Sequence, residues 1–294
     1  MAMEFNFILP KNFKSQTIEC LLEKTWLVPR KQRHFLRMKK NIWLNHNNQL
    51  TWKEQVRATD TINLIFDEED FPTHHQLSAG NPHLVDVIYQ DEHLIIVNKP
   101  EGMKTHPNNE NEVTLQNHVA TAIKQPVYVV HRLDKDTSGL VLFAKNHFVL
   151  PILNQMLSQK LIQRQYLALV ENHFNQKNIT INQPIARDRH DKTKRMTTST
   201  GQSALTHIKV LEEKNSSQSL SLVQCNLETG RTHQIRVHLS WSGHPIIGDP
   251  LYNSHSSANQ RLMLHAEKID FIHPFTNQEI HLSASSQSFT DGCK

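Results

Sequence analysis

Apolar positions along this chain fall into short periodic groups. Ile18, Leu21, Leu22 and Trp26 recur at helical spacing. Pro29 follows, and its fixed backbone angle suits the start of a second helix carrying Arg30, Lys31, Arg33, Arg37, Lys39 and Lys40. Ile42-Trp43-Leu44-Asn45 with Asn47-Asn48 predicts a strand and turn, and residues 61–66 predict a closing strand. Residues 69–84 have no period and several breakers, which predicts a linker containing His74-His75. From Val85 onward the pattern is that of a folded core. His93-Leu94-Ile95-Ile96-Val97-Asn98 reads as a buried strand. Leu115, Val119 and Ile123 mark a helix. Leu150, Leu153, Met156, Leu157 and Leu161 mark another, at steps of three and four. Residues 166–170 and 220–223 read as strands. Helices and strands are interspersed without βαβ regularity, so the expected class is α+β.

Composition narrows the function classes. The 294 residues are 37% hydrophobic and 20% charged, as in a globular protein with a sizeable core. The formal charge of +4 permits a nucleic-acid partner without establishing one. The bias is local: from Lys11 to Arg57 there are eleven Lys or Arg against three Glu. Cys20, Cys225 and Cys293 form no CxxC pair, which argues against a disulfide framework or thiolate zinc site. None of the 20 histidines sits in HExxH or a paired Cys/His array, so no metal is expected. No apolar run nears the roughly 18 residues of a membrane span. The N-terminal Met-Ala-Met-Glu-Phe-Asn-Phe lacks a signal-peptide pattern, so a cytoplasmic location is expected.

The chemistry concentrates in His131-Arg132-Leu133-Asp134-Lys135-Asp136-Thr137-Ser138-Gly139-Leu140. It sets the Asp134 carboxylate in a polar segment beside an apolar run. Asp before Ser-Gly is ordinary turn composition, so the residues alone allow a turn or a group held for catalysis. The full string resembles the signature of the RluA-type RNA pseudouridine synthases. Four further segments match that family in order. They are residues 91–107 around Asn98-Lys99-Pro100-Glu101-Gly102, residues 164–170, residues 228–252 with Gly230-Arg231-Thr232-His233-Gln234-Ile235-Arg236, and residues 261–266. The resemblance implies a mixed, largely antiparallel sheet with flanking helices and isomerisation of uridine to pseudouridine within RNA. It implies Asp134 as the catalytic carboxylate, Arg236 as its cationic partner and Tyr166 against the target base. Arginine suits that partnership because it stays protonated and offers paired donors. Arg132 is implied near the displaced RNA. Arg231, His233 and Gln234 are candidates for RNA contact or for bracing the pocket. Lys99, in its strand-turn, could equally be solvated.

The N-terminal order of helix, basic helix, hairpin and strand resembles the S-four-type RNA-binding module, with Arg30, Lys31, Arg33 and Arg37 as phosphate contacts. Thr59-Asp60 stands where that module usually has Gly-Asp, and Asn172 where many synthases have glycine. The expected division is a module with linker over residues 1–82 and a catalytic domain over 83–294. The expected partner is RNA, ribosomal rather than transfer, acted on by a monomer with no cofactor and no membrane association. Two rivals remain at this point: a non-catalytic RNA-binding or ribosome-assembly factor on the same fold, and a glycoside hydrolase pairing Asp134 with Glu228.

Overall fold

The computed structural model describes residues 2–72, 77–109, 112–215, 219–256 and 260–293, so the His74-His75 pair lies outside the described residues. Near the N-terminus, residues 18–25 are helical, with a wider π turn over Leu21–Thr25. Ile18, Leu21, Leu22 and Trp26 are all buried, as their spacing requires. The basic helix is Arg30–Lys39, with Pro29 as its N-cap and Lys40 in the left-handed conformation that ends it. Strands Ala2–Ile8, Thr61–Asp67 and Ile42–Leu44 form a three-stranded antiparallel sheet with Thr61–Asp67 in the middle. The pattern reading left out Ala2–Ile8, whose Phe5 and Phe7 are buried.

A ten-stranded, largely antiparallel sheet dominates the rest, so the fold is α+β. Its main path runs Asn178–Asn182, Leu205–Asn215, Ser219–Leu227, Gln163–Glu171, Leu264–Ile272, Ser138–Ala144, Leu94–Lys99 and Asp86–Gln90. One pairing is parallel, Leu264–Ile272 with Ser138–Ala144, through His265 opposite Ser138 and Ala266 opposite Gly139. Gly139 makes that seam possible. It sits at φ 115°, and a Cβ there would lie 2.2 Å from the Ala266 carbonyl oxygen. The segment carrying Asp134 enters the sheet at this seam.

The inner strands are buried on both faces, which explains the unbroken apolar run at residues 94–97. Alternation sends Leu94, Ile96, Leu140 and Leu142 to one core, and Ile95, Val97, Val141 and Phe143 to the other. The first core continues without a break into the N-terminal elements. Phe7 packs 4.6 Å from Phe275, 4.7 Å from Trp26 and 5.3 Å from His93, and Phe5 lies 4.9 Å from Phe148, as ring centroids. Each such buried ring stabilises the fold by about 2 kcal/mol. The apolar interior therefore crosses the expected boundary at residue 82. The second core carries Tyr166 and Leu133 and backs the site. Among the described residues no helix is long and apolar enough to cross a membrane.

Candidate active site

The segment around Asp134 is pinned on both sides by buried side chains. The Lys99 ammonium donates to the carbonyls of Pro100 (2.9 Å), Met103 (2.7 Å) and Lys135 (2.9 Å). Lys99 is fully buried, so the solvated reading of this residue is corrected. Burial pushes its pKa down to about 8, against the pull of the Asp134 and Asp136 carboxylates. The Thr105 hydroxyl donates to the Leu133 carbonyl (2.9 Å) and accepts from the Leu133 N–H (3.1 Å). Both neighbours of Asp134 are thus fixed, and its own side chain remains 28% exposed.

Arg236 comes from the helix Gln234–Trp241 and is 4% exposed. Its Nη1 donates to Asp134 Oδ2 at 3.1 Å. Its other edge is taken by Asp249, with Nε to Oδ2 and Nη2 to Oδ1, both at 2.8 Å. Burial alone would lower the guanidinium pKa, but the hydrogen bonds and charge of Asp249 reverse this and hold it above its ordinary value. At this burial Arg236 is an interior ion-pair partner and not a surface one. Asp249 is itself fully buried, and its Oδ1 also accepts from the N–H groups of Leu251 (2.9 Å) and Tyr252 (3.1 Å). Sequence reasoning gave Asp249 no role, although it lies inside a matched string. Gly248 before it takes φ 73°, where a Cβ would meet the Arg261 carbonyl at 1.8 Å, and so permits the turn that presents Asp249.

Asp134, Tyr166 and Arg236 line one cavity of about 910 Å³, together with Arg132, Arg164, Arg231, His233, Gln234 and Leu264. Tyr166 lies where the pairing of Gln163–Glu171 with Leu264–Ile272 slips register, a bulge that re-aims a side chain. It is 4% exposed, and burial raises the pKa of its phenol while the Arg164 cation opposes the rise. His233 is a non-glycine residue at φ 58°, just ahead of the Arg236 helix. Its Nδ1 lies 2.8 Å from the Tyr252 hydroxyl, and its Nε2 lies 3.7 Å from Asp134 Oδ2. Gln234 is buried, and its amide is fully engaged by Thr229, Arg231, Leu205 and Thr206, which makes it a brace of the turn. Arg231 is exposed and donates through Nε to the Ser203 carbonyl at 3.0 Å. Arg132 is exposed at the cavity, 3.3 Å from His106 Nε2.

The candidates of the basic helix lie outside this cavity. Arg30, Lys31 and Arg37 are exposed on the basic helix. Arg33 is half-buried and pairs with Glu23 at 3.0 Å. Glu228 lines the cavity but is paired with Lys160, and with His207 at 2.6 Å. These partners, Lys160 first, hold its carboxyl below the ordinary range. A glycosidase acid needs the opposite shift. Among the described residues no group of three or more His, Cys, Asp or Glu is placed to hold a metal.

The chain is similar to known proteins. Residues 93–241 match the family described as RNA pseudouridylate synthase. Residues 5–62 match the RluD ribosomal pseudouridine synthase N-terminal domain. The uncharacterized RNA pseudouridine synthase YhcT of Bacillus subtilis is 45% identical over 202 residues, 67% of either chain. The ribosomal large subunit pseudouridine synthase D of Buchnera aphidicola is 30% identical over 299 residues, covering 95% of this chain and 89% of that protein. The solved structure of human RNA pseudouridylate synthase domain containing 1 is similar with a TM-score of 0.61 at 25% identity, covering 71% of this chain and 86% of that one.

Proposed function

The chain belongs to the RNA pseudouridylate synthase family, and on that premise we propose that it isomerises uridine to pseudouridine in structured RNA, ribosomal RNA first, using Asp134. The observation that carries this reading is the asymmetry of the Asp134 carboxylate. Oδ2 accepts from the buried Arg236 at 3.1 Å, and among the described residues no donor reaches Oδ1. One oxygen is held and the other is left for substrate.

The reaction breaks the bond from sugar carbon 1′ to ring nitrogen 1, turns the base, and joins carbon 1′ to ring carbon 5. A proton leaves carbon 5 and one is taken up at nitrogen 1, so atoms balance without a redox partner. Asp134 acts on the sugar, as a nucleophile at carbon 1′ or as a base toward a sugar proton. Arg236 keeps its carboxylate oriented throughout. Tyr166 offers the base a face to stack on, worth roughly 1–3 kcal/mol, and a hydroxyl edge. Arg132 and Arg231, exposed where they line the cavity, meet the RNA entering it, where cations position phosphates.

Residues 1–82 serve as the RNA-binding module with its linker, and residues 83–294 as the catalytic domain. Arg30, Lys31, Arg33 and Arg37 supply the phosphate contacts. The ribosomal preference rests on the relatives named for the large ribosomal subunit and on the match of residues 5–62. The enzyme acts as a monomer in the cytoplasm.

Carbodiimide-stop sequencing of total RNA tests this in cells with the gene, without it, and with Asp134→Asn. One or more pseudouridines should be lost in both deficient strains. Full modification with Asp134→Asn would overturn the catalytic assignment. No lost site in either strain would favour the RNA-binding factor instead.

A further inference from the structure

His233, Tyr252 and Asp249 close a ring around the Asp134–Arg236 pair. Asp249 grips the guanidinium by two bonds of 2.8 Å and fixes the Tyr252 backbone N–H at 3.1 Å. The Tyr252 ring lies under the same guanidinium, 5.2 Å from its carbon. Its hydroxyl reaches His233 Nδ1 at 2.8 Å, and His233 Nε2 returns to Asp134 Oδ2 at 3.7 Å.

Hydrogen-bond accounting favours one tautomer of His233. The Tyr252 hydroxyl oxygen already accepts from the Arg195 N–H at 2.7 Å. Among the described residues its only other partner is His233, and donating its proton to Nδ1 is the arrangement that satisfies both groups. A neutral imidazole with Nδ1 accepting carries its proton on Nε2. That N–H lies on the side of Asp134 Oδ2, the oxygen Arg236 already holds, at 3.7 Å, an electrostatic approach longer than a hydrogen bond. The left-handed backbone of His233 is a conformation that costs a residue with a Cβ, and such strain persists where the surroundings enforce it.

We propose that His233, locked by Tyr252, is a positioning residue for the reaction: it directs a second N–H to Asp134 Oδ2, so that Oδ1 is the oxygen presented to the sugar. The inference rests on the proposed chemistry of Asp134. It turns His233 away from RNA contact and toward the carboxylate, and gives Tyr252 its role. The groups facing His233 are Asp134, Arg236, Tyr252, Arg195 and Asp249. Burial lowers its pKa despite Asp134, which keeps the imidazole neutral. Losing the Tyr252 donor raises that pKa, since the donor favours the unprotonated Nδ1.

Tyr252→Phe keeps the ring and removes only the hydroxyl. With an unmodified ribosomal RNA transcript labelled by 5-tritiouridine, tritium release gives kcat and KM. The expected result is a fall in kcat of about 10- to 100-fold, KM unchanged, and an acid limb of the kcat profile moved to higher pH. His233→Asn, which tolerates the left-handed backbone and keeps a donor, should retain more activity than His233→Ala. Unchanged kcat and pH profile in folded Tyr252→Phe, or a change confined to KM, would overturn the proposal. If the wild-type protein fails to turn the transcript over, the substrate reading fails, and the ring is still tested by ¹⁵N spectra of the imidazoles. The His233 signals, assigned by their loss in His233→Asn, should show a protonated Nε2 in the wild type and mixed tautomers in Tyr252→Phe. The same tautomer in both would overturn the lock.

Discussion

Asp249→Ala is the sharpest test of how the site is built, because it leaves the Asp134 carboxylate untouched. The Arg236 guanidinium is 4% exposed and Asp249 fully buried. The substitution removes two charge-assisted bonds of 2.8 Å and strands the N–H groups of Leu251 and Tyr252. Removing one partner of a buried pair costs about 3–5 kcal/mol, because the remaining charge stays desolvated. Asp134 still offers Arg236 one bond, so the lower end applies, about 3 kcal/mol. At roughly 2–4 °C per kcal/mol for a large domain, Tm should fall by about 6–12 °C. Asp249→Asn keeps one acceptor for Leu251 and Tyr252 and should lose about half as much. Scanning calorimetry at neutral pH gives both values. A fall under about 2 °C in Asp249→Ala would refute the reasoning, since it would give this pair the small worth of a solvated surface contact.

Three further outcomes follow from the geometry. Gly139→Ala should destabilise by about 3 kcal/mol or more, because its Cβ meets the Ala266 carbonyl at 2.2 Å in a left-handed backbone; urea unfolding reads this, and a wild-type midpoint would sink it. Burial pushes His93 down to about 4, against Asp91, so its contribution is complete above the unfolded value near 6.5 and is lost as pH falls toward 4. That is about 3 kcal/mol at most, and His93→Phe should flatten the decline of Tm between pH 7 and 4.5; equal declines in both proteins would contradict it. Replacing the exposed Arg30, Lys31 and Arg37 by glutamine should weaken RNA binding and make its salt slope shallower by about 2–3, whereas an unchanged slope would remove the basic helix from the interface.

Much of the fold was legible because the burial of its elements follows local period. Pro29, the basic helix, the strand around the apolar run at residues 94–97 and the helix Leu115–Ile123 all read directly. Two departures from the family pattern also resolve locally. Thr59 and Asn172 stand where glycine is usual, and both take φ 67°. The backbone keeps the conformation glycine would supply, and Asn172 adds a bond from its amide to the Gly243 carbonyl at 2.9 Å. The strand Ala2–Ile8 was missed because its burial depends on Trp26, Phe66 and Phe275, which no local window contains. Lys99 was misjudged for a similar reason. Its three carbonyl acceptors come from the turn around it and from Lys135, thirty-six positions away.

Asp249 was the least legible member of the site, and its geometry shows why the site needs it. A buried arginine must be neutralised, and a carboxylate bound along a full edge does this best. Had Asp134 provided that edge, both its oxygens would be held in the ground state. Such binding would lower the energy of the resting carboxylate without favouring the transition state. Giving the two-bond grip to Asp249 leaves Asp134 with a single bond of 3.1 Å to Arg236, through Oδ2. The arginine is then charged and fixed whatever happens at Asp134. On the proposed chemistry it would keep its hold on Oδ2 while Oδ1 acts on the sugar, because its own position does not depend on Oδ1. A lone acidic residue after Gly248 reads as a turn in any sequence window; only the approach of residues 134, 236 and 249 in space gives it this task.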